Sequence, residues 1–367
     1  MMTRFLFCLC FVSVLVTVEA RADTLLFESH EVLNLTIPLD FKTLCRPRET
    51  PDCDYAPTVL EYEDEHGKMQ SIAIEIKVRG GWRSLSKNCS APLLFIRFNE
   101  EDTAETPFDG QSMLPLTTHC GHGFSLESVE HRQNRTTYEQ YLLKEYLAHL
   151  VYNEISDVSL NARLVHMTYP NPKKPNRRVV HYAFFTEHFE SAARRNDAEL
   201  LSRGSFDEEK LGAAASDQLA LFQYMIGNTD WSIVRERNVI LLQQPSGVLL
   251  PLPYDFDMSG LVNAHYAGPA PTLSIDEVTE RQYLGFCHPD TDWDALFTLF
   301  LGKQEAILSM VSGIPGLEKQ SIRVATRFLE QFFSTLHSSE ERGEKIVSQC
   351  QPWPPSEIDH TTPADKR

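Results

Sequence analysis

Leu33, Leu35, Ile37 and Leu39 alternate with Asn34, Thr36, Pro38 and Asp40, the period of a strand with one buried face; Pro38 marks it as an edge. Ile72, Ile74, Ile76 and Val78 alternate with Ala73, Glu75, Lys77 and Arg79, so a second strand ends at a Gly80-Gly81 turn, with Leu93–Phe98 as its partner. The period then changes. From Thr136 to Ile155 the apolar positions Leu143, Leu147, Leu150 and Val151 fall on one face of a helix. Ala162–Tyr169 and Val179–Thr186 read as two strands joined by the polar, Pro-rich loop Pro170–Arg178. Leu219, Phe222, Met225 and Ile226 share a helical face that Gly227 terminates. A short hairpin follows, Asn238–Leu242 and Val248–Leu252 around Pro245-Ser246-Gly247, and two amphipathic helices, Trp293–Val311 and Pro315–Leu336, close the chain.

That order, β-rich then mainly helical, predicts an α+β protein of two lobes with a cleft between them. The expected division is a signal peptide at 1–22, a β-rich lobe at 23–190, a helical lobe at 191–350 carrying the hairpin, and a disordered tail at 351–367. The leader follows from Arg4, the apolar run Phe5–Val18 and the Ala20-Arg21-Ala22 cleavage pattern. After its removal no long uncharged stretch remains to cross a bilayer, so the protein is expected to be exported, in a periplasm or outside the cell.

Charge narrows the partners. The net charge of −17 argues against nucleic acid, which needs clustered Lys and Arg, and against anionic lipid. The cysteines beyond the leader, Cys45, Cys53, Cys89, Cys120, Cys287 and Cys350, form an even set, as disulfides require. Cys45 and Cys53 flank one turn and are the nearest pair; Cys89–Cys120 and Cys287–Cys350 follow from proximity along the chain. His119-Cys120-Gly121-His122 also reads as a zinc motif, but it has no second ligand pair at a structural-zinc spacing.

Chemistry concentrates between residues 216 and 260. A helix ends at Gly227, a loop presents Asp230, and the hairpin carries Asn238 at its start and Asp255 just past its end. Phosphoryl transfer uses such a set: one carboxylate orients the attacking hydroxyl, while an Asn and a second carboxylate hold Mg²⁺ against phosphate. Each Asp taken singly is a common turn residue.

The stretch Leu219–Gly260, with its Asn228-Thr229-Asp230 loop, Asn238-led strand and Pro253-Tyr254-Asp255-Phe256-Asp257 strand end, resembles the spore-coat protein H (CotH) kinase family. Arg79-Gly80-Gly81 and Leu93–Phe98 are similar to that family's Arg-Gly turn and following strand, Tyr141–Tyr169 to its helix and strand, and Tyr182–Glu190 to the strand before its interlobe linker. The chain thus looks like a divergent exported member, covered over roughly residues 70–265. The resemblance implies a bilobal, protein-kinase-like fold and a kinase acting on a secreted or envelope protein, with ATP as donor and Mg²⁺ or Mn²⁺ as cation. It implies Asp230 as the catalytic aspartate and Asn238 and Asp255 as metal ligands, with Asp257 assisting or shaping the loop. Glu187 falls where the linker meets nucleotide. Ala91-Pro92 stand where the family has paired lysines, which leaves Arg79, Lys87 or Arg97 as the phosphate-binding cation. The loop between Asp230 and Asn238 is longer than the family's. Two alternatives stay open: a catalytically inactive kinase-like binding or assembly module of the cell envelope, and a metal-dependent hydrolase using Asp255, Asp257 and His265.

Overall fold

The computed structural model describes residues 25–50, 52–121 and 132–355. The expected leader, His122 and the chain beyond residue 355 lie outside them.

Among the described residues, strands β1 (Leu33–Thr36), β2 (Ala56–Glu63), β3 (Met69–Val78), β4 (Leu94–Phe98), β5 (Met113–Thr117), β6 (Ala162–Asn171) and β7 (Lys174–Thr186) close into a barrel, in the order β1-β2-β3-β4-β5-β7-β6. Neighbours pair antiparallel except at the seam, where β1 runs parallel to β6, Leu33 opposite Val165 and Thr36 opposite Thr168. Strand alternation fills the interior: Ile72, Ile74, Ile76 and Val78 of β3 meet Val165, Met167 and Tyr169 of β6 and Phe185 of β7. One end is stoppered by the short helix α1 (Leu25–Glu28), whose Leu26 and Phe27 join that core. Buried Arg163 donates from Nη1 to the carbonyls of Leu26 (3.0 Å) and Ser29.

The residues facing outward from the same strands build a second core. Leu164 of β6 and Phe184 of β7 pack under α3 (Arg132–Ile155), whose Leu143, Leu147 and Val151 then meet α5 (Ala213–Ile226). The helices α6 (Trp293–Gly302), α7 (Gln304–Gly313), α8 (Lys319–His337) and α9 (Ser339–Lys345) follow, and residues of α6, α7 and α8 complete the same core. Between α5 and α6 the hairpin β9 (Val239–Gln243) and β10 (Leu249–Pro253) takes β8 (Glu199–Leu200) as a third strand. The short α2 (Glu100–Thr103) and α4 (Phe189–Arg195) complete the described helices.

The expected bilobal, protein-kinase-like arrangement is overturned. The β-rich segment does not stand as an open lobe facing a helical one; its strands close on themselves. Pro38 marks no edge, because β1 has β2 on one side and β6 on the other, and Ile37 and Leu39 continue the parallel pairing onto Thr168 and Pro170 carbonyls (2.9 Å each). Pro38 lacks the N–H, so it falls between the two donors. The expected loop 170–178 is mostly strand, since β6 and β7 run on to a tight turn at Asn171–Lys174. The expected boundary at residue 190 falls inside α4, and the core shared by α3 and α5 spans it.

The disulfides are Cys45–Cys53, Cys89–Cys120 and Cys287–Cys350, the pairings expected from chain proximity. They fit an exported protein, since such bridges persist in oxidising compartments. Among the described residues no helix is long and apolar enough to cross a membrane. Beyond Cys350 the chain stays packed for a few residues: the Gln351 carbonyl accepts from the Cys287 N–H (2.8 Å), and Trp353 lies 4.5 Å from the His288 ring.

A candidate charged centre between the barrel and the hairpin

Helix α5 aims the loop that carries Asp230. Gly227 ends the helix in the left-handed region (φ 63°), where a Cβ would meet Phe328 Cζ at 2.9 Å, so the position demands glycine on both counts. Asn228 then accepts from the Asp230 N–H (3.0 Å). The long loop up to Asn238 is a closed turn. Ser232 and Arg237 exchange two backbone bonds of 2.9 Å, and buried Glu236 accepts from the Gly204 N–H (2.7 Å). The extra residues are thereby looped out, and Asn238 comes back to Asp230: its Nδ2 donates to the Asp230 carbonyl (2.7 Å) and to Oδ2 (3.1 Å). The Asn238 carbonyl in turn accepts from the Tyr254 N–H (3.0 Å), which sets Asp255 alongside.

Backbone strain marks the same place. Asn238 (φ 51°) and Asp255 (φ 63°) both lie in the left-handed region, which Asn and Asp visit more readily than other side-chain-bearing residues. Glu105, Cys120 and Asp197 share that region elsewhere in the chain, so the conformation supports a site here only together with the bonds that join these residues.

Asp255 faces a second group of residues that the sequence did not single out. Arg83, on the turn after β3 and only 8% exposed at its side chain, reaches three carboxylates: Asp255, Glu145 at 3.2 Å and Asp257 at 3.5 Å. Half-buried Arg79 stands beside it, bonded to the Leu94 carbonyl (3.2 Å) and to Thr117 Oγ1 (3.0 Å). Burial and the Arg83 charge lower the Arg79 pKa to about 10. Burial works against the Arg83 charge as well, yet Asp255, Asp257 and Glu145 together hold its pKa well above the ordinary value. Burial pushes the Asp257 carboxyl up to about 8, with Asp255 and Glu145 adding to it and Arg83 opposing. The residue before Glu145 on α3, Lys144, is lowered to about 8 by burial and donates to the Val262 carbonyl.

Of the residues expected at a phosphate site, the fold brings together Asp230, Asn238, Asp255, Asp257 and Arg79. The others lie elsewhere. Arg97 points outward from β4, bonding Glu75 Oε2 through Nε at 2.8 Å and covering the Tyr55 ring at 4.1 Å. Lys87 is exposed near Glu49. Glu187 is 1% exposed, and its carboxylate is spent on Arg195 (2.8 Å) and the Asn161 N–H (3.2 Å), which fastens the end of β7. His265 is exposed and packs among tyrosines. The missed residues had a signal. Lys144-Glu145 interrupts the apolar face of α3, and Arg83 follows the Gly-Gly turn that was noted for Arg79.

The proton on Asp257 gives the protein a measurable pH dependence. Its folded pKa lies above the value of an ordinary unfolded carboxyl, so between about pH 4 and 8 this carboxyl binds up to one proton more in the folded chain. Through this group stability falls as pH rises across that window and levels off above it, while buried His149, lowered to about 3, works in the opposite sense below about pH 6.5. In chelator, the melting temperature of the Asp257→Asn variant is expected to fall less than that of the unaltered chain between pH 5 and 8.5. Parallel curves for the two proteins would show that Asp257 is ionised throughout.

Among the described residues, no group of three or more His, Cys, Asp and Glu side chains is arranged to hold a metal ion unaided. A cation that arrives on a ligand would need fewer donors from the protein. Mg²⁺ keeps several waters and commonly takes only one or two carboxylates besides substrate phosphates. Asn238 commits its N–H to Asp230, so its carbonyl end is the part of the amide suited to such an ion. No known family matches this chain, and no curated protein matches it either.

Proposed function

We propose that the chain is an exported phosphotransferase that moves the terminal phosphoryl group of a nucleoside triphosphate, taken as its Mg²⁺ or Mn²⁺ complex, onto a hydroxyl of a secreted or envelope protein. The observation that carries the reading is the meeting of Asp230 and Asn238 beside Asp255, with two of the three in left-handed backbone. In the transfer, the hydroxyl oxygen forms a new bond to phosphorus as the bond to the leaving diphosphate breaks. The hydroxyl proton passes to the Asp230 carboxylate. Asn238 and Asp255 face the metal–phosphate complex, and Arg79 and Arg83 supply positive charge behind it. The resemblance to CotH kinases in residues 219–260 supports the same roles. The proposal does not rest on a bilobal fold, because the chemistry needs only these groups at one wall.

One observation favours a second reading, a binding or assembly module without catalysis. Each of the two principal carboxylates already holds an arginine, Asp230 with Arg237 and Asp255 with Arg83. Thermal unfolding separates the readings. A ligand at 100 times its Kd adds about 2.7 kcal/mol of stability. The first reading expects the melting temperature to rise with ATP and Mg²⁺ together and to return to baseline in excess EDTA. A flat response to the pair leaves the second reading standing.

A further inference from the structure

Five rings gather next to the charged centre, and the chemistry above uses none of them. Trp82 immediately precedes Arg83, Tyr138 and Tyr141 come from α3, and His265 and Tyr266 come from the loop after Asp257. Ring centroids lie 5.2 Å apart for Trp82–Tyr266, 5.3 Å for His265–Tyr266 and 5.4 Å for Tyr138–His265. Tyr141 joins through His265 at 5.9 Å and Tyr266 at 6.2 Å. The group adjoins the carboxylates along the chain, Trp82 preceding Arg83 and His265 and Tyr266 following Asp257 in its loop.

Trp82 leaves 39% of its surface in water, whereas Trp231 leaves 8%. An indole held out of the core, on the residue next to a guanidinium that faces three carboxylates, offers a flat apolar face beside a polar centre. The location implied for nucleotide by the family resemblance, at Glu187, is filled by Arg195 and Asn161.

We propose that the base of the donor nucleotide stacks on the Trp82–Tyr266 face of this ring cluster rather than beside Glu187. The inference rests on the phosphotransfer reading, since it assigns the base end of the same donor. A ring-stacking face contiguous with a centre where two arginines stand among three carboxylates matches a ligand that joins a flat ring to a metal-bound phosphate chain. That pairing of features describes a nucleotide better than an apolar peptide, which has no use for the cations.

Calorimetric titration of the folded chain with Mg·ATP and with Mg·tripolyphosphate, which keeps the phosphates and lacks the base, tests this. Stacking of one base on an aromatic side chain corresponds to about a 10-fold change in affinity. Trp82→Ala is expected to weaken Mg·ATP by about that factor and leave Mg·tripolyphosphate unchanged, and Trp82→Phe, which keeps a flat ring, to regain most of the loss. ATP is expected to quench tryptophan emission of the unaltered chain more than tripolyphosphate does. Unchanged ATP affinity in Trp82→Ala overturns the stacking site and leaves the phosphotransfer reading intact. Equal weakening of both ligands overturns it too, because the indole would then act through Arg83. Absence of binding by either ligand to the unaltered chain removes both proposals.

Discussion

Replacing Arg83 with methionine is expected to lower the unfolding free energy by about 3–5 kcal/mol, the cost of leaving buried charges without their partner. Methionine keeps much of the arginine stem's volume, so the loss reports charge rather than a cavity. The side chains of Glu145 and Asp257 are only 4% and 8% exposed, and water cannot solvate them once the guanidinium is gone. Arg97→Met is the control. Its pair with Glu75 lies on the outside of the barrel with side chains 48% and 42% exposed, where such pairs contribute about 0–1 kcal/mol. Urea unfolding followed by circular dichroism measures both. Adding Glu145→Gln to Arg83→Met should recover part of the stability, since an amide is cheaper to bury unpaired than a carboxylate, whereas Asp257, which already holds a proton below about pH 8, should recover little on change to Asn. A loss below about 1 kcal/mol for Arg83→Met would mean that the centre is open to solvent.

The sequence gives away what is local and conceals what is not. Helix α5, its stop at Gly227, the hairpin β9–β10 and the disulfide pairs are legible because their signals span a few residues or a pairing of nearest neighbours. Barrel closure is not. The period of β1 announces a strand, but nothing in Leu33–Thr36 announces a parallel partner at Val165–Thr168. Strand β5 is disguised by Pro115. It is tolerated because β5 bonds β7 only at Leu116 and Thr117, past the proline. Strand β2 buries only Leu60 and Tyr62 deeply, too few for a convincing alternation.

The candidate site divides in the same way. Asp230, Asn238 and Asp255 flank one hairpin, so reading the hairpin is enough to bring them together. Arg83 meets Glu145 and Asp255 across three elements distant in sequence, and only the closed fold unites them. Arg97 was within reach of correction from parity alone. Leu94, Ile96 and Phe98 point into the barrel, which turns Arg97 outward. For Glu187 there was no such rule, because its partner Arg195 comes from the helix that follows and competes for the carboxylate only once α4 has formed.

The largest expected effect on activity comes from removing the carboxylates at the hairpin ends. With γ-labelled ATP and Mg²⁺ or Mn²⁺, Asp230→Ala is expected to lower label transfer to protein by about 10²–10⁴-fold, the range a positioned general base contributes. Asp255→Ala should fall at least as far, because it removes an anionic ligand from the metal–phosphate complex and also frees Arg83 from its most exposed partner. Neither change should unfold the chain, since the Asp255 side chain is 36% exposed and that of Asp230 21%, but alanine in the left-handed backbone at 255 (φ 63°) should cost about 1 kcal/mol. Melting temperatures measured alongside separate lost chemistry from lost structure. Asn238→Gly completes the set: glycine accepts the left-handed backbone (φ 51°) without strain, so the variant removes the amide and leaves the turn. Its activity should fall far more than its stability, which loses only about 1–2 kcal/mol with the two bonds to Asp230. Label transfer that survives equally in Asp230→Ala and Asp255→Ala would dissociate these residues from the chemistry. The left-handed turns at 238 and 255 would then have to be explained by their bonds within the fold alone.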